Sequence, residues 1–184
     1  RVRAVVYDPK RDMYPVLRAM GVRAEDIVVL HPFDSRTTAW NLASDIKTPT
    51  QARQFATILA PPEPQSSQPY FANAAVDLIT AVINVYRQLF GDGWQLNDLV
   101  EAFSSWKRLQ VVLKSTPAAK DLFDIYFSNP KSGADVLTTV RTKLVPYEAV
   151  ARLWGRTPRG QSLTEWARSP TNKILLLGTD DANS

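Results

Sequence analysis

Two acidic positions close apolar, strand-like runs: Asp8 follows Ala4-Val5-Val6-Tyr7, and Asp180, with Asp181, follows Ile174-Leu175-Leu176-Leu177-Gly178-Thr179. An acid at the carboxyl end of a parallel strand can hold Mg²⁺ or polarise water, because ligands of open α/β sheets collect along that edge. The competing reading is a strand-end turn, which Asp-Pro promotes through side-chain-to-backbone hydrogen bonds. Lys10 shares the loop of Asp8, so a phosphate contact and a local ion pair are both open to it. His31, Asp34 and Ser35 carry the residue types of a hydrolase triad, yet they lie within five consecutive positions of one loop. A triad draws its members from separated elements. The combination reads as coincidence, and His31 as a strand-end residue satisfied by a backbone group.

A different chemistry is written further along. Residues 141–168 carry six basic side chains (Arg141, Lys143, Arg152, Arg156, Arg159 and Arg168) against Glu148 and Glu165, which accounts for the whole formal net charge of +4. Tyr147, Trp154 and Trp166 are interleaved with them. Cations neutralise phosphates and flat rings meet bases or sugars, although a solvated helix face with its aromatics in the core has the same composition. Trp106-Lys107-Arg108 is a smaller instance of the pattern. Trp40, Phe71, Trp94 and Phe103 read as core or domain-interface anchors, since large aromatics near turns bury their area there.

Composition narrows the classes. With 184 residues, 45% hydrophobic and 22% charged, the chain has room for one domain, or for a small domain with an inserted companion. Having no Cys, it has no disulfides, iron–sulfur clusters, thiolate zinc sites or cysteine nucleophiles, and its single His argues against a histidine-built metal site. None of the seven glycines lies in a phosphate-binding loop or a G-x-G-x-x-G fingerprint; Gly91-Asp92-Gly93 reads as a helix stop. Nucleotide hydrolysis by this chain alone is therefore not expected, and no catalytic residue or metal ligand is assigned. No run of about 18 apolar residues occurs, so no membrane span is expected in this stretch. The chain runs from Arg1 straight into one apolar strand and stops a few residues past another, which reads as a piece of something longer.

The elements that must position these residues follow from periodicity. Residues 2–7 read as a strand with apolar residues on both faces, of the kind usually central and parallel. Asp12 is placed to cap a short helix through Met20, with Gly21 as its stop, and residues 27–30 form a second strand ending at His31-Pro32. Then the period becomes helical: 50–60, a break at Pro61-Pro62-Glu63-Pro64, a long helix over 70–90, and further amphipathic segments over 96–104, 106–114, 118–128 and 132–154. Pro146 interrupts the last, so two helices meeting at a kink and one helix are both open. A short helix over 162–168 and a buried strand over 173–177 complete the chain, and that strand is expected to rejoin the first two. The expected fold is thus α/β with an inserted all-α domain: residues 1–48 and 169–184 supply three parallel strands, and 49–168 a helical bundle.

Taken in order, the motifs resemble those of the coupling proteins of type IV secretion and conjugation, the TraD-like DNA-translocating ATPases. VVYDPKRDM (residues 5–13) is similar to the family's strand followed by D-P-K-G-[ED]; DIVVLHPFDSRTTAWNLASDI (26–46) is similar to its strand, N-P-x-D-x-R and W-N pattern. ADVLTTVRTKL (134–144) resembles its S-A-R-x-x-L helix, and SLTEWARSPTNKILLLG (162–178) its F-S-x-R-x-W ending. The likeness spans nearly the whole chain, with two departures: Arg11 stands where the family has Gly, and His31 where it has a smaller or polar residue.

The resemblance implies a RecA-like motor domain interrupted by the family's all-α domain, the Walker A loop preceding and the Walker B acid following this stretch. It implies ATP and Mg²⁺ as cofactors of the whole protein, a homohexamer anchored in the bacterial inner membrane by another segment, and a position at the cytoplasmic face. The implied partners are single-stranded DNA and a relaxase or secreted effector protein. On that reading Lys107, Arg108, Arg141, Lys143, Arg152, Arg156 and Arg159 contact DNA, and Asp8 and Lys10 lie near the nucleotide or a subunit edge. The alternative is a helical module that docks secretion substrates as proteins, without touching DNA.

Overall fold

The computed structural model describes residues 3–61, 69–157, 160–170 and 172–178. In chain order its elements are β1 (Ala4–Tyr7), α1 (Met13–Ala19), β2 (Ile27–Leu30), β3 (Ala39–Trp40), α2 (Leu42–Asp45), α3 (Pro49–Leu59), α4 (Pro69–Phe90) and α5 (Leu96–Ala102). These are followed by α6 (Trp106–Leu113), α7 (Pro117–Phe127), α8 (Pro130–Leu144), α9 (Glu148–Trp154), β4 (Gly160–Gln161), α10 (Leu163–Arg168) and β5 (Ile174–Leu177). They gather into two compact units, Arg1–Asn41 with Arg152–Ser184, and Leu42–Ala151. The helical segment between the strands thus begins seven residues before position 49 and closes inside α9, leaving α10 with the sheet.

In the first unit β5 pairs in parallel with β1 on one side and β2 on the other, in the order β1-β5-β2. Ile174 stands opposite both Ala4 and Ile27, and Leu177 opposite both Tyr7 and Leu30. The last strand rejoins the first two, as its apolar run requires. The expected central place of β1 is corrected: β5 takes the centre, and β1 is an edge strand whose Val5 and Tyr7 are exposed. An apolar run marks burial, which says nothing about order across a sheet. Leu17 of α1 packs with Ile27, Val29 and Leu176, flanked by Val6, Met13, Tyr14, Val22 and Ile174. β3 and β4, two residues each, form a separate parallel ladder too short to leave a periodic signal.

In the second unit α4 is the axis, packing against α3, α5, α6, α7 and α8. Its Ala74, Leu78, Ile79, Val82 and Ile83 are fully buried, the pattern of a helix enclosed by others. Prolines open α3, α4, α7 and α8, where the missing N–H is one that the first turn would leave unpaired. Thr48 and Gln51 make a reciprocal capping box on α3, and Asn129 accepts the N–H groups of Lys131 and Ser132 at the start of α8. Pro146 sits in a 3₁₀ turn, Val145–Tyr147, that divides α8 from α9, so the long C-terminal segment is two helices. Among the described residues no helix is long and apolar enough to cross a membrane.

Truncating the axis tests this core. Ile79→Ala should lower unfolding stability in urea by about 2–5 kcal/mol, whereas Val111→Ala, at an exposed α6 position, should stay within about 0.5 kcal/mol of the parent.

Candidate nucleic-acid interface and the strand-end cluster

The basic residues singled out by sequence come from both units. Lys107 and Arg108 open α6 and are exposed. The Arg108 guanidinium donates to Glu101 at 2.5 Å, and Ser105 Oγ accepts the Arg108 backbone N–H at 3.3 Å. Lys107 makes no ion pair among the described residues. Arg141 and Lys143 are in the last turn of α8, but two positions on a helix differ by about 200°, so they leave it on different faces; Arg141 is exposed and Lys143 half-buried. Arg152, on α9, and Arg156, in the turn after it, are exposed and belong to the sheet unit. Arg159 lies outside the described residues.

The interleaved aromatics are mostly engaged in packing. Trp166 donates its indole N–H to the Lys173 carbonyl at 3.0 Å and carries the Arg3 guanidinium 5.6 Å from its ring. Tyr147 donates to the Ile58 carbonyl at 3.4 Å. Trp106 is 37% exposed and packs on Phe123 and Phe127, with ring centroids 5.5 and 4.6 Å away. Below Lys107 and Arg108 lies a groove of about 390 Å³ that also takes in Tyr86, Asp98, Glu101, Val111 and Val112. Burial pushes the Tyr86 phenol up to about 12, with Asp98 and Glu101 adding to the shift; its hydroxyl donates to the Asp98 carbonyl at 3.1 Å.

A second cluster forms where β1, β2 and β5 end. Asp8 is buried, and its two carboxylate oxygens accept the N–H groups of Asp12 and Met13, each at 3.1 Å. Asp8 therefore caps α1, while Asp12, at the N-cap position, makes no capping hydrogen bond. The turn reading of Asp8 is the one its hydrogen bonds express. Lys10 is exposed and makes no ion pair among the described residues. Asp180 and Asp181 lie outside the described residues.

His31 is buried and has the backbone partner its strand-end position implies, the Phe33 N–H at 3.3 Å from Nδ1. Sequence did not disclose the second group at this ring: Arg11 Nε lies 3.0 Å from His31 Nε2, and because a neutral imidazole accepts at one nitrogen only, the ring accepts from Arg11 or from Phe33, not from both at once. Arg11 has φ +60°, a left-handed conformation costly for a side chain with Cβ and open to glycine. The two departures from the family pattern thus touch one another. Gly178, after β5, lets the imidazole in, since a Cβ there would fall 2.0 Å from His31 Cδ2. Nearby, Asp34 accepts the Arg36 backbone N–H at 2.8 Å and its guanidinium at 2.9 and 2.6 Å. The guanidinium hydrogen bonds hold the Asp34 carboxyl down to about 2 against an ordinary 3.8, although partial burial opposes them. Arg36 in turn lies over the Tyr14 ring at 4.0 Å. Among the described residues no three His, Cys, Asp or Glu side chains cluster as metal ligands.

The chain is mostly helical with a small parallel sheet of three strands. Over residues 1–184 it matches the type IV secretion-system coupling protein DNA-binding domain, and it belongs to that family. Among solved structures it is similar to the bacterial conjugative coupling protein TrwBdeltaN70 in its unbound monoclinic form, with TM-score 0.71 and 18% identity over 98% of this chain and 40% of that one. It is similar also to the plasmid coupling protein TrwB in complex with ADP and Mg²⁺, with TM-score 0.71 and 17% identity over 98% and 41%. The chain thus spans about two fifths of the length of these relatives. No curated protein sequence matches it.

Gly178→Ala should destabilise the fold by roughly 1–3 kcal/mol through overpacking against the imidazole. His31→Ala should absorb part of that loss, so a double-mutant cycle should show coupling. Asp34 titrates lower in the folded state, so its contribution is complete above about pH 4 and is lost as pH falls through about 2. The stability gap between the parent and Asp34→Asn, followed by denaturant unfolding, should accordingly be widest at neutral pH and close over that interval.

Proposed function

We propose that this chain is the substrate-receiving portion of a type IV coupling protein, an all-α domain inserted into a RecA-like, ATP-driven motor that passes single-stranded DNA and its bound relaxase or effector toward a secretion channel. The observation that carries the reading is the family match over the full 184 residues. The fold likeness to TrwB, whose structures include complexes with ADP and Mg²⁺, supports the motor part. On this reading Lys107, Arg141 and Arg156 are the primary phosphate contacts, being exposed without ion pairs among the described residues. Arg108, Lys143, Arg152 and Arg159 assist them. The working assembly is a homohexamer at the cytoplasmic face of the bacterial inner membrane, held there by a part other than these residues.

ATP and Mg²⁺ belong, on this proposal, to the whole motor. The residues described here do not fit a Mg²⁺–nucleotide site: both Asp8 oxygens are taken by backbone N–H groups, and Lys10 stands beside no glycine-rich loop. No step through ATP is assigned to them. The mixed groove beneath α6 favours a second reading. There Lys107 and Arg108 meet Glu101, Asp98 and the exposed Val111, a surface better matched to a protein partner than to a polyanion.

Fluorescence anisotropy with a labelled single strand tests the first reading. Affinity should fall with salt, with a slope in log–log form of about −0.7 per phosphate neutralised; Arg141→Gln with Arg156→Gln should flatten it by about 1.4. Absence of binding at low salt, or binding indifferent to salt, refutes DNA contact. Capture of a cognate relaxase that survives charge reversal at Arg152 and Arg156 would favour protein docking.

A further inference from the structure

Of the five tryptophans, Trp106 alone is exposed. It opens α6, and α7 and α8 hold it there. A Cβ at Gly133 of α8 would fall 3.2 Å from both Cζ3 and Cη2 of the indole, so the far edge of the ring occupies space that a larger residue at 133 would claim. Phe123 and Phe127 of α7 support it, yet at interplanar angles of 58° and 87° neither lies flat against it. Its indole N–H has no hydrogen-bond partner among the described residues, whereas that of Trp166 is bonded.

The ring is therefore fixed along one edge while part of the residue meets solvent. Packing alone would need nothing more, but α6 adds charge beside it. Lys107, Gln110 and Lys114 lie within about 100° of Trp106 around the helix, and Lys107 and Lys114, seven residues apart, fall on one side of it with about 10 Å between them along the axis. Both lysines are exposed, and neither has an ion partner among the described residues. Lys114 holds its Nζ 5.2 Å from the Phe123 centroid, one ring away from Trp106. Arg108 leaves the helix about 200° from Trp106, and its charge goes to Glu101. Residues 105–114 include no acid. Against the two lysines α7 sets Asp124, exposed and next to Phe123 in the chain.

We propose that Trp106 is a base-stacking residue. The assignment rests on the reading of this chain as a receiver of single-stranded DNA, and it supplies what that reading lacks, a contact to something other than phosphate. One nucleobase lies on the open part of the indole, and the phosphates on either side of it reach Lys107 and Lys114. A ring already fixed by its neighbours loses little rotamer freedom when a ligand arrives. Every base has a π-face, so the contact tolerates any sequence. The lysines select a polyanion, and the flat ring selects bases that are not already stacked within a duplex.

Anisotropy with two labelled strands of equal length and charge, oligothymidylate and its abasic counterpart, tests this on the 184-residue chain. Oligothymidylate should bind roughly five- to hundredfold more tightly, the range for stacking one base. Trp106→Leu, which keeps an apolar side chain against Gly133, should bring oligothymidylate down to the abasic level and leave the abasic strand as it was. Lys114→Gln should weaken both strands alike and flatten the salt slope by about 0.7. Equal binding of the two strands by the parent, or a difference that Trp106→Leu leaves intact, overturns stacking while DNA reception stands. No binding of either strand at low salt overturns both. Poly-glutamate bound by the parent and released by Trp106→Leu, with no strand bound, would make this a surface for an acidic protein instead. Should Trp106→Leu not unfold cooperatively in urea, photocrosslinking of the parent to a strand carrying 5-bromodeoxyuridine decides. An adduct on Trp106, located by peptide mass spectrometry, upholds the assignment, and adducts on other residues alone refute it.

Discussion

Parallel pairing of β5 with both β1 and β2 is the constraint on which the sheet unit depends. Ile174 to Leu177 register simultaneously against Ala4 to Tyr7 and Ile27 to Leu30, so two distant stretches of chain must meet before either of the first two strands has a neighbour. Bringing them together costs loop-closure entropy that grows only slowly with the length between, and the helical unit builds its own core around α4 in the interval. The carboxyl ends of the three strands then arrive at one place, with Asp8 N–H bonded to the Leu177 carbonyl and Gly178 N–H to that of Leu30.

What gathers there is an arrangement of mutually dependent local choices. Asp8 is spent on the first turn of α1, Arg11 accepts a left-handed backbone and reaches His31, and the imidazole occupies space that any residue larger than glycine at 178 would claim. Buried polar groups cost free energy unless they are hydrogen-bonded, and Asp8 meets that requirement with the N–H groups of Asp12 and Met13. The cluster is thereby a brace on the sheet edge.

The helical unit divides its polar chemistry differently. Lys107 and Arg108 sit over a groove shared with acids and valines, and Arg141 stands in the open. Exposed cations confer weak, screened attraction.

Periodicity alone placed most of these elements to within a few residues, because strand and helix impose repeats of 2 and 3.6 that a run of apolar residues either matches or does not. The long α4 and the reunion of the last strand with the first two were legible in that way, as was the family, while at Pro146 periodicity left one helix and two equally open and only the structure divided them. Sheet order was not, since Ala4-Val5-Val6 reads as apolar as the run of β5 yet stands at the edge. Nor were the two-residue ladder of β3 with β4 or the contact of Arg11 with His31. Each of these depends on which residues meet across long separations in the chain, and no local pattern of polarity records that.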